Sequence, residues 1–132
     1  MRRITADSNI YISALQFGGE PLVFLNQARS GEIELILSDA ILDEFTRVLR
    51  DKFNWSEERL SDLRKEIVTF TRRVEPTQIL DVVKDDPDDN RIVECAVESG
   101  SEAIITHDND LLRIGSYQGI KIMTVAEFLR WT

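Results

Sequence analysis

The sequence is poor in the residues that form disulfides, zinc sites and membrane spans. Of its 132 residues one is a cysteine, Cys95, and one is a histidine, His107. A lone cysteine excludes an internal disulfide and lacks the partners of a zinc site, so we expect Cys95 to be a small core side chain. No segment approaches the roughly twenty apolar residues of a membrane helix. The N-terminal MRRITADSN has no apolar signal core, which predicts a cytoplasmic protein.

Positive charge is also scarce, and it is concentrated in one part of the chain. Sixteen lysines and arginines stand against 24 acidic residues, which leaves a formal net charge of −8. This balance argues against a general nucleic-acid coat protein, because binding by counterion release requires an excess of basic residues. Half of the basic residues nevertheless lie between Arg47 and Arg73, where only five acidic residues occur. The two signs of charge are therefore segregated along the chain.

Apolar residues alternate between strand-like and helix-like patterns. Good N-caps precede two of the helices, at Ser38 and Thr124, and Asn54 with Glu57 resembles a capping box for a helix ending at Val74. Alternation of strands and helices predicts a three-layer α/β/α sandwich with a mostly parallel central sheet. No repeat, low-complexity tract or linker interrupts residues 1–132, so we expect a single domain. The predicted strands are 3–6, 34–37, 77–83, 103–106 and 120–123, and the main helices are 9–15, 22–28, one after Ser38, 54–74, one opening at Asp89 or Asn90, and 125–131.

Carboxylates flank the helix and strand predicted within residues 84–112. Asp89 lies in the first helical turn, in line with the apolar face, and Asp108 follows the next strand. In an open α/β sheet, helix N-termini and the carboxyl ends of strands share one edge, where ligands bind. Asp7 ends the first strand, and Glu44 lies at the rim of the helix after the second. The sequence therefore predicts four carboxylates at one edge of the sheet.

Four adjacent carboxylates require a counter-charge, because like charges raise one another's pKa. A divalent cation supplies it, and oxygen-only ligands select Mg²⁺ or Mn²⁺ over zinc. Phosphodiester hydrolysis is the chemistry that such sites serve best. Each acid alone is more often a solvated loop residue, and only their predicted convergence supports a site. Asp86 or Asp88 would replace Asp89 if the helix began elsewhere, and Asp110 either caps a turn or supports the metal through water.

Four blocks of the sequence resemble the PIN-domain nucleases. The first is Ala6-Asp7-Ser8-Asn9 followed by IYISAL, similar to the family's opening D-T-N motif. The second acidic block is LSDAILDEF, and the third and fourth are DPDDNRIVECA and THDNDLL. The match covers nearly the whole chain and is most similar to the bacterial and archaeal toxin components of toxin–antitoxin pairs, relatives of the VapC toxins.

The resemblance implies an endoribonuclease that depends on Mg²⁺ or Mn²⁺ and cleaves single-stranded RNA. It implies a cognate antitoxin as partner, and a homodimer is compatible with this class. Since the chain ends directly after its last predicted helix, we expect silencing by a separate polypeptide. The resemblance implies that the family's catalytic and metal-binding residues correspond to Asp7, Glu44, Asp89 and Asp108. The supporting polar residues are Asn9, Ser38, Thr106 and Asp110. The basic residues that would guide RNA past the acids are Arg59, Arg64, Lys65, Arg72 and Arg73, for which a solvated face is the alternative.

Two positions depart from the family pattern. Ser8 replaces the usual threonine and keeps the hydroxyl. His107 stands where glycine is common, and we interpret it as a bystander because a metal-bound water needs no histidine base.

Two other functional classes are less consistent with the sequence. A degenerate PIN module acting only as a binding partner is disfavoured by the intact acid set. A haloacid-dehalogenase-like phosphatase requires an aspartate two residues after its nucleophile, where this chain has Asn9. A phospho-receiver domain requires paired acids after the first strand, and that pair is missing.

Overall fold

A central sheet organises the described part of the chain, residues 1–131 of the computed structural model. Its strands hydrogen-bond in the order β3-β2-β1-β4-β6-β5. All neighbouring strands are parallel except β5, which runs antiparallel to β6. The strands are β1 Arg2–Ala6, β2 Ile33–Leu37, β3 Thr71–Arg73, β4 Ala103–Ile105, β5 Ser116–Tyr117 and β6 Ile120–Met123.

Helices flank this sheet, which confirms the predicted α/β class with a mostly parallel sheet. The two predicted caps are also confirmed: Ser38 Oγ accepts the Ile41 N–H at 3.3 Å, and Thr124 forms a capping box with Glu127. Among residues 1–131, none of the helices combines the length and apolarity that a membrane crossing needs. The helices are α1 Ser8–Phe17, α2 Gly19–Arg29, α3 Asp39–Phe53, α4 Glu57–Phe70, α5 Asn90–Ser99, α6 Asn109–Leu112 and α7 Val125–Leu129, with a 3₁₀ turn at Pro87–Asp89.

The strand order reverses between β1 and β4, where the sheet has its topological switch point. From β1 the chain passes first to β2 on one side and later to β4 on the other. Asp7 directly follows β1, and Asp108 lies three residues after β4. Ligands bind in this crevice of open α/β sheets, so the topology positions both acids where a site is expected.

The core packs α1 against α3. Tyr11 on α1 stacks on Phe45 on α3, with ring centroids 4.5 Å apart, and both side chains are buried. Cys95 is fully buried among apolar residues, as expected. Because cores are close-packed, Asp7 at the start of α1 and Glu44 on α3 are held by a rigid scaffold.

The predicted strand over residues 77–83 is wrong. The segment has no regular structure, and side chains of α5 accept its backbone N–H groups. Asn90, Glu94 and Glu98 are four residues apart, so they lie on one face of α5 and replace a neighbouring strand. The donors and acceptors are Thr77 to Glu98 at 2.9 Å, Leu80 to Glu94 at 2.8 Å, and Val82 and Val83 to Asn90 at 2.8 Å each.

The predicted helix over residues 54–74 is wrong at both ends. Ser56, not Asn54, is the N-cap of α4, while Asn54 ends α3 with a left-handed backbone at φ 60°. Asparagine tolerates this conformation better than most residues. The helix stops at Phe70 because residues 71–73 pair with β2 as an edge strand. Arg72 and Arg73 therefore lie on β3 and not on the helix. The other differences are that α2 begins at Gly19, α7 ends at Leu129, and α6 and β5 were not predicted.

Candidate metal centre

Asp7 is the most deeply buried of the predicted site residues that carry a carboxylate, with 3% of its surface exposed. One carboxylate oxygen accepts the Thr106 hydroxyl at 2.7 Å, and the other accepts the Asn9 N–H at 3.4 Å as the N-cap of α1. Asn9 thus acts through its backbone, and its side chain is exposed. The sheet and the helix together fix the orientation of Asp7.

Thr106 links two of the acids through a single hydroxyl. It donates to Asp7, and its oxygen accepts the Asp108 N–H at 3.0 Å. Asp108 in turn accepts the Asp110 N–H at 2.7 Å as the N-cap of the short helix α6. The two hydrogen bonds of the Thr106 hydroxyl therefore place Asp7 and Asp108 side by side at the switch point.

Glu44 reaches the same edge from α3 and is half-buried. Its carboxylate accepts the buried Ser8 hydroxyl at 3.0 Å. This is the hydroxyl that Ser8 retains in place of the usual threonine. Ser38 is also buried, but its observed role is to cap α3 rather than to contact the acids.

Asp89 lies in the 3₁₀ turn before α5 and is 8% exposed. Its Oδ2 atom is buried and has no hydrogen-bond partner in the described residues. Burial, together with the negative charges of Asp7 and Asp108, raises the pKa of Asp89 to about 8. Burial also raises the pKa of Asp7, with added repulsion from Glu44 and Asp108. The structure thus brings Asp7, Glu44, Asp89 and Asp108 into one electrostatic cluster.

Asp86, which the sequence offered only as a replacement for Asp89, lies in this site together with Asp89. Oxygens of Asp86, Asp89, Asp108 and Asp110 all lie within 4.8 Å of one another. The Asp89 N–H donates to the Asp86 carbonyl at 3.0 Å, because the 3₁₀ turn aligns residues three apart. The spacing of Asp86 and Asp89 around Pro87 is the signal that would have placed both acids in the site. Asp85, in contrast, faces Arg113, 3.6 Å away.

The residues present fit a hard divalent cation. In the part of the chain that the structure describes, no lysine or arginine forms a salt bridge with Asp7, Glu44, Asp89 or Asp108. Negative charges crowded around an unpartnered buried oxygen are costly without a counter-charge. All the donors are carboxylate oxygens, which suit Mg²⁺ or Mn²⁺ better than zinc.

We expect the stability of the metal-free protein to fall as the pH rises from about 4 to 8. Asp89 ionises at its ordinary pKa of 3.8 in the unfolded chain but at about 8 in the folded one. Between these values the folded state binds more protons, so the free energy of unfolding decreases with pH and stays low above pH 8. Asp89→Asn should gain about 1–3 kcal/mol at pH 8, because water screens part of the repulsion. Thermal unfolding in EDTA measures both effects.

Saturating Mg²⁺ should remove most of the difference between the wild type and Asp89→Asn, since the cation stabilises only a folded site with its full charge. Equal pH dependence of the two proteins in EDTA would contradict the assignment of this shift to Asp89.

The basic residues predicted to contact RNA all lie outside this cluster. Arg59 lies over the Trp55 ring, 3.5 Å from its centroid, and Arg64 and Lys65 stand on α4 without a salt bridge in the described chain. Arg72 pairs with Glu34 at 2.9 Å, and Arg73 pairs with Asp39. His107 is exposed between Thr106 and Asp108.

Comparison with known proteins gives the same family. A family model described as PIN domain matches residues 3–110. The fold is similar to a chain in the crystal structure of VapBC2 from Rickettsia felis bound to a DNA fragment from their promoter, with a TM-score of 0.63 and 12% identity. That similarity covers 91% of this chain and 96% of the other. No curated protein matches the sequence significantly. Because the family model spans most of its length, the chain belongs to the PIN domain family.

Proposed function

We propose that this protein is a metal-dependent endoribonuclease that hydrolyses phosphodiester bonds of single-stranded RNA. PIN domain proteins are generally nucleases. The observation that carries the proposal is the buried, unpartnered Asp89 oxygen beside the carboxylates of Asp7 and Asp108, which form no salt bridge within residues 1–131. Asp7, Glu44, Asp89 and Asp108 are proposed as the catalytic, metal-binding residues, with Mg²⁺ or Mn²⁺ as cofactor.

The hydrogen bonds of the site fix the orientation of these carboxylates before a cation binds. A bound cation would lower the pKa of a water molecule and offset charge on the scissile phosphate. Thr106 holds Asp7 and the backbone of Asp108, and Ser8 holds Glu44. Because these bonds already exist, the acids need little rearrangement when a cation arrives. The half-buried Glu44 and Asp108 leave the site open to solvent, as a polymeric substrate requires.

We further propose that the protein is the toxin of a toxin–antitoxin pair, acting as a single domain in the cytoplasm. The fold similarity to a chain of the Rickettsia felis VapBC2 structure supports this assignment. A cognate antitoxin would silence the site by placing an arginine or lysine among the carboxylates, where the cation would bind. A homodimer is the proposed assembly. The α4 side chains Arg59, Arg64 and Lys65, with Arg72 and Arg73 on β3, are proposed to attract RNA at long range.

Cleavage by the purified wild type tests the function directly. A 5′-labelled single-stranded RNA should be cut with Mg²⁺ or Mn²⁺ and remain intact with EDTA, and sequencing the ends left on total RNA would identify the cleaved sites. Expression without a partner should arrest growth, whereas the Asp7→Asn protein should not. Harmless expression together with cleavage in vitro would keep the nuclease and reject the toxin. Absence of cleavage with either cation would reject the nuclease.

A further inference from the structure

An open groove runs between α3 and the start of α5, beside the acid cluster. Its α3 wall is one helix face, since the residues are spaced i, i+3, i+4 and i+7. The cavity has a volume of about 220 Å³ and includes the proposed catalytic Glu44. The lining residues are Ala40, Asp43, Glu44 and Arg47 on α3, with Asp88 and Arg91 opposite.

A second cavity of about 240 Å³ continues this groove, since both cavities share Ala40 and Arg91. Each is smaller than the roughly 300–1,000 Å³ pockets that enclose small molecules. Asp39, which pairs with Arg73, lines the second cavity. An open, continuous groove of this kind suits an extended chain better than a compact ligand.

Arg91 is held rigidly at the junction of the two cavities. Its Nε and Nη2 atoms each donate to the buried Glu94 carboxylate at 2.8 Å. Glu94 is itself fixed by the Leu80 N–H at 2.8 Å. The Nη1 group makes no hydrogen bond within residues 1–131 and remains available to a ligand. A guanidinium fixed in this way loses little conformational entropy on binding.

Arg47 stands on the same side of α3 as Glu44, one helical turn further along. It lines a cavity with the carboxylates of Asp43, Glu44 and Asp88. Even so, it forms no salt bridge in the described part of the chain. All its N–H donors are therefore available, within one helical turn of a proposed catalytic acid.

We propose that Arg47 and Arg91 form a subsite for the backbone phosphates that flank the scissile phosphate of single-stranded RNA. The inference rests on the proposed function and deepens it by locating the substrate. Arginine suits this role because its planar donors match phosphate oxygens. The subsite directs the RNA along the groove between α3 and α5, close to Glu44, rather than over the exposed face of α4.

Salt dependence of RNA binding tests the subsite. Every protein carries Asp7→Asn, so that a fluorescein-labelled single-stranded RNA is bound but not cut. Each phosphate contact contributes about 0.7 to the slope of log affinity against log salt for a single strand. Arg47→Gln and Arg91→Gln should each lower the slope by about this amount and weaken binding about tenfold at low salt. Fluorescence anisotropy across a KCl series measures both quantities.

Arg130→Gln is the matched control, because Arg130 is an exposed arginine outside the groove with no salt bridge in the described chain. It should leave the slope unchanged. Since Arg91→Gln also frees Glu94, Arg91→Lys provides a second variant that keeps the positive charge. This variant should restore most of the slope but not the full affinity, because lysine lacks the planar fork.

The subsite is overturned if both glutamine variants keep the slope of the parent protein, even when the wild type cleaves RNA. If their slopes fall but the wild type cuts no RNA with Mg²⁺ or Mn²⁺, Arg47 and Arg91 still bind RNA phosphates, and the nuclease is rejected. The binding and cleavage measurements can therefore reject the subsite and the nuclease independently of each other.

Discussion

Asp7→Asn should lower the rate of RNA cleavage by at least about a thousandfold, while the protein stays folded. Asp7 is the best-fixed acid of the cluster, held between Thr106 and the N-terminus of α1. Asparagine keeps one oxygen to accept the Asn9 N–H, its amide group can donate to the Thr106 hydroxyl oxygen, and it carries no negative charge for a cation. Single-turnover cleavage of a labelled RNA measures the loss, and circular dichroism verifies the fold.

Asp62→Asn is the matched control, because Asp62 is an exposed acid on α4 without a salt bridge in the described chain. It should cleave at the wild-type rate. Glu44→Gln, Asp89→Asn and Asp108→Asn should lose activity as Asp7→Asn does. Full activity in Asp89→Asn, together with an inactive Asp88→Asn, would instead assign the third acid to Asp88. Wild-type cleavage by Asp7→Asn would reject the proposed centre.

Asn90→Ala should lower the free energy of unfolding by about 3 kcal/mol or more. The Asn90 side chain is 2% exposed and makes four hydrogen bonds to backbone groups. Its removal leaves the buried N–H of Val83 and the part-buried N–H of Val82 without this partner, and a buried unpaired group costs about 1–3 kcal/mol. Asn90 Oδ1 accepts the N–H groups of Val82 and Val83, and Asn90 Nδ2 donates to the carbonyls of Val83 and Pro87.

Urea denaturation measures this loss, with Asn109→Ala as control because the Asn109 side chain is exposed at the start of α6. The control should change the free energy of unfolding by less than about 0.5 kcal/mol. A similarly small effect of Asn90→Ala would show that residues 77–83 do not depend on α5.

The pattern of apolar residues was sufficient for most of the fold. Alternating short apolar runs and amphipathic stretches indicated a mostly parallel sheet with helices, and Ser38 and Thr124 were recognisable as caps because their hydroxyls act on residues two or three positions away. The acids at the ends of β1 and β4 were predictable for a related reason. Parallel topology places such positions at one edge regardless of the details of packing.

The tertiary structure decided which partners the ambiguous segments received. Residues 77–83 have the apolar character of a strand, but periodicity does not reveal whether a strand or a helix will accept their N–H groups. Here Asn90, Glu94 and Glu98 accept them, and the chain instead continues the sheet with residues 71–73.

Some residues of the site could likewise be predicted from the sequence, and others were found only in the structure. Sequence alone determined that acids follow the strands, because that depends only on chain order. A 3₁₀ turn adds Asp86 to the site and positions the unpartnered oxygen of Asp89. The packing of α3 near α5 brings the arginines of the groove together. Contacts between residues distant along the chain set these features, and such contacts exist only once the core has formed.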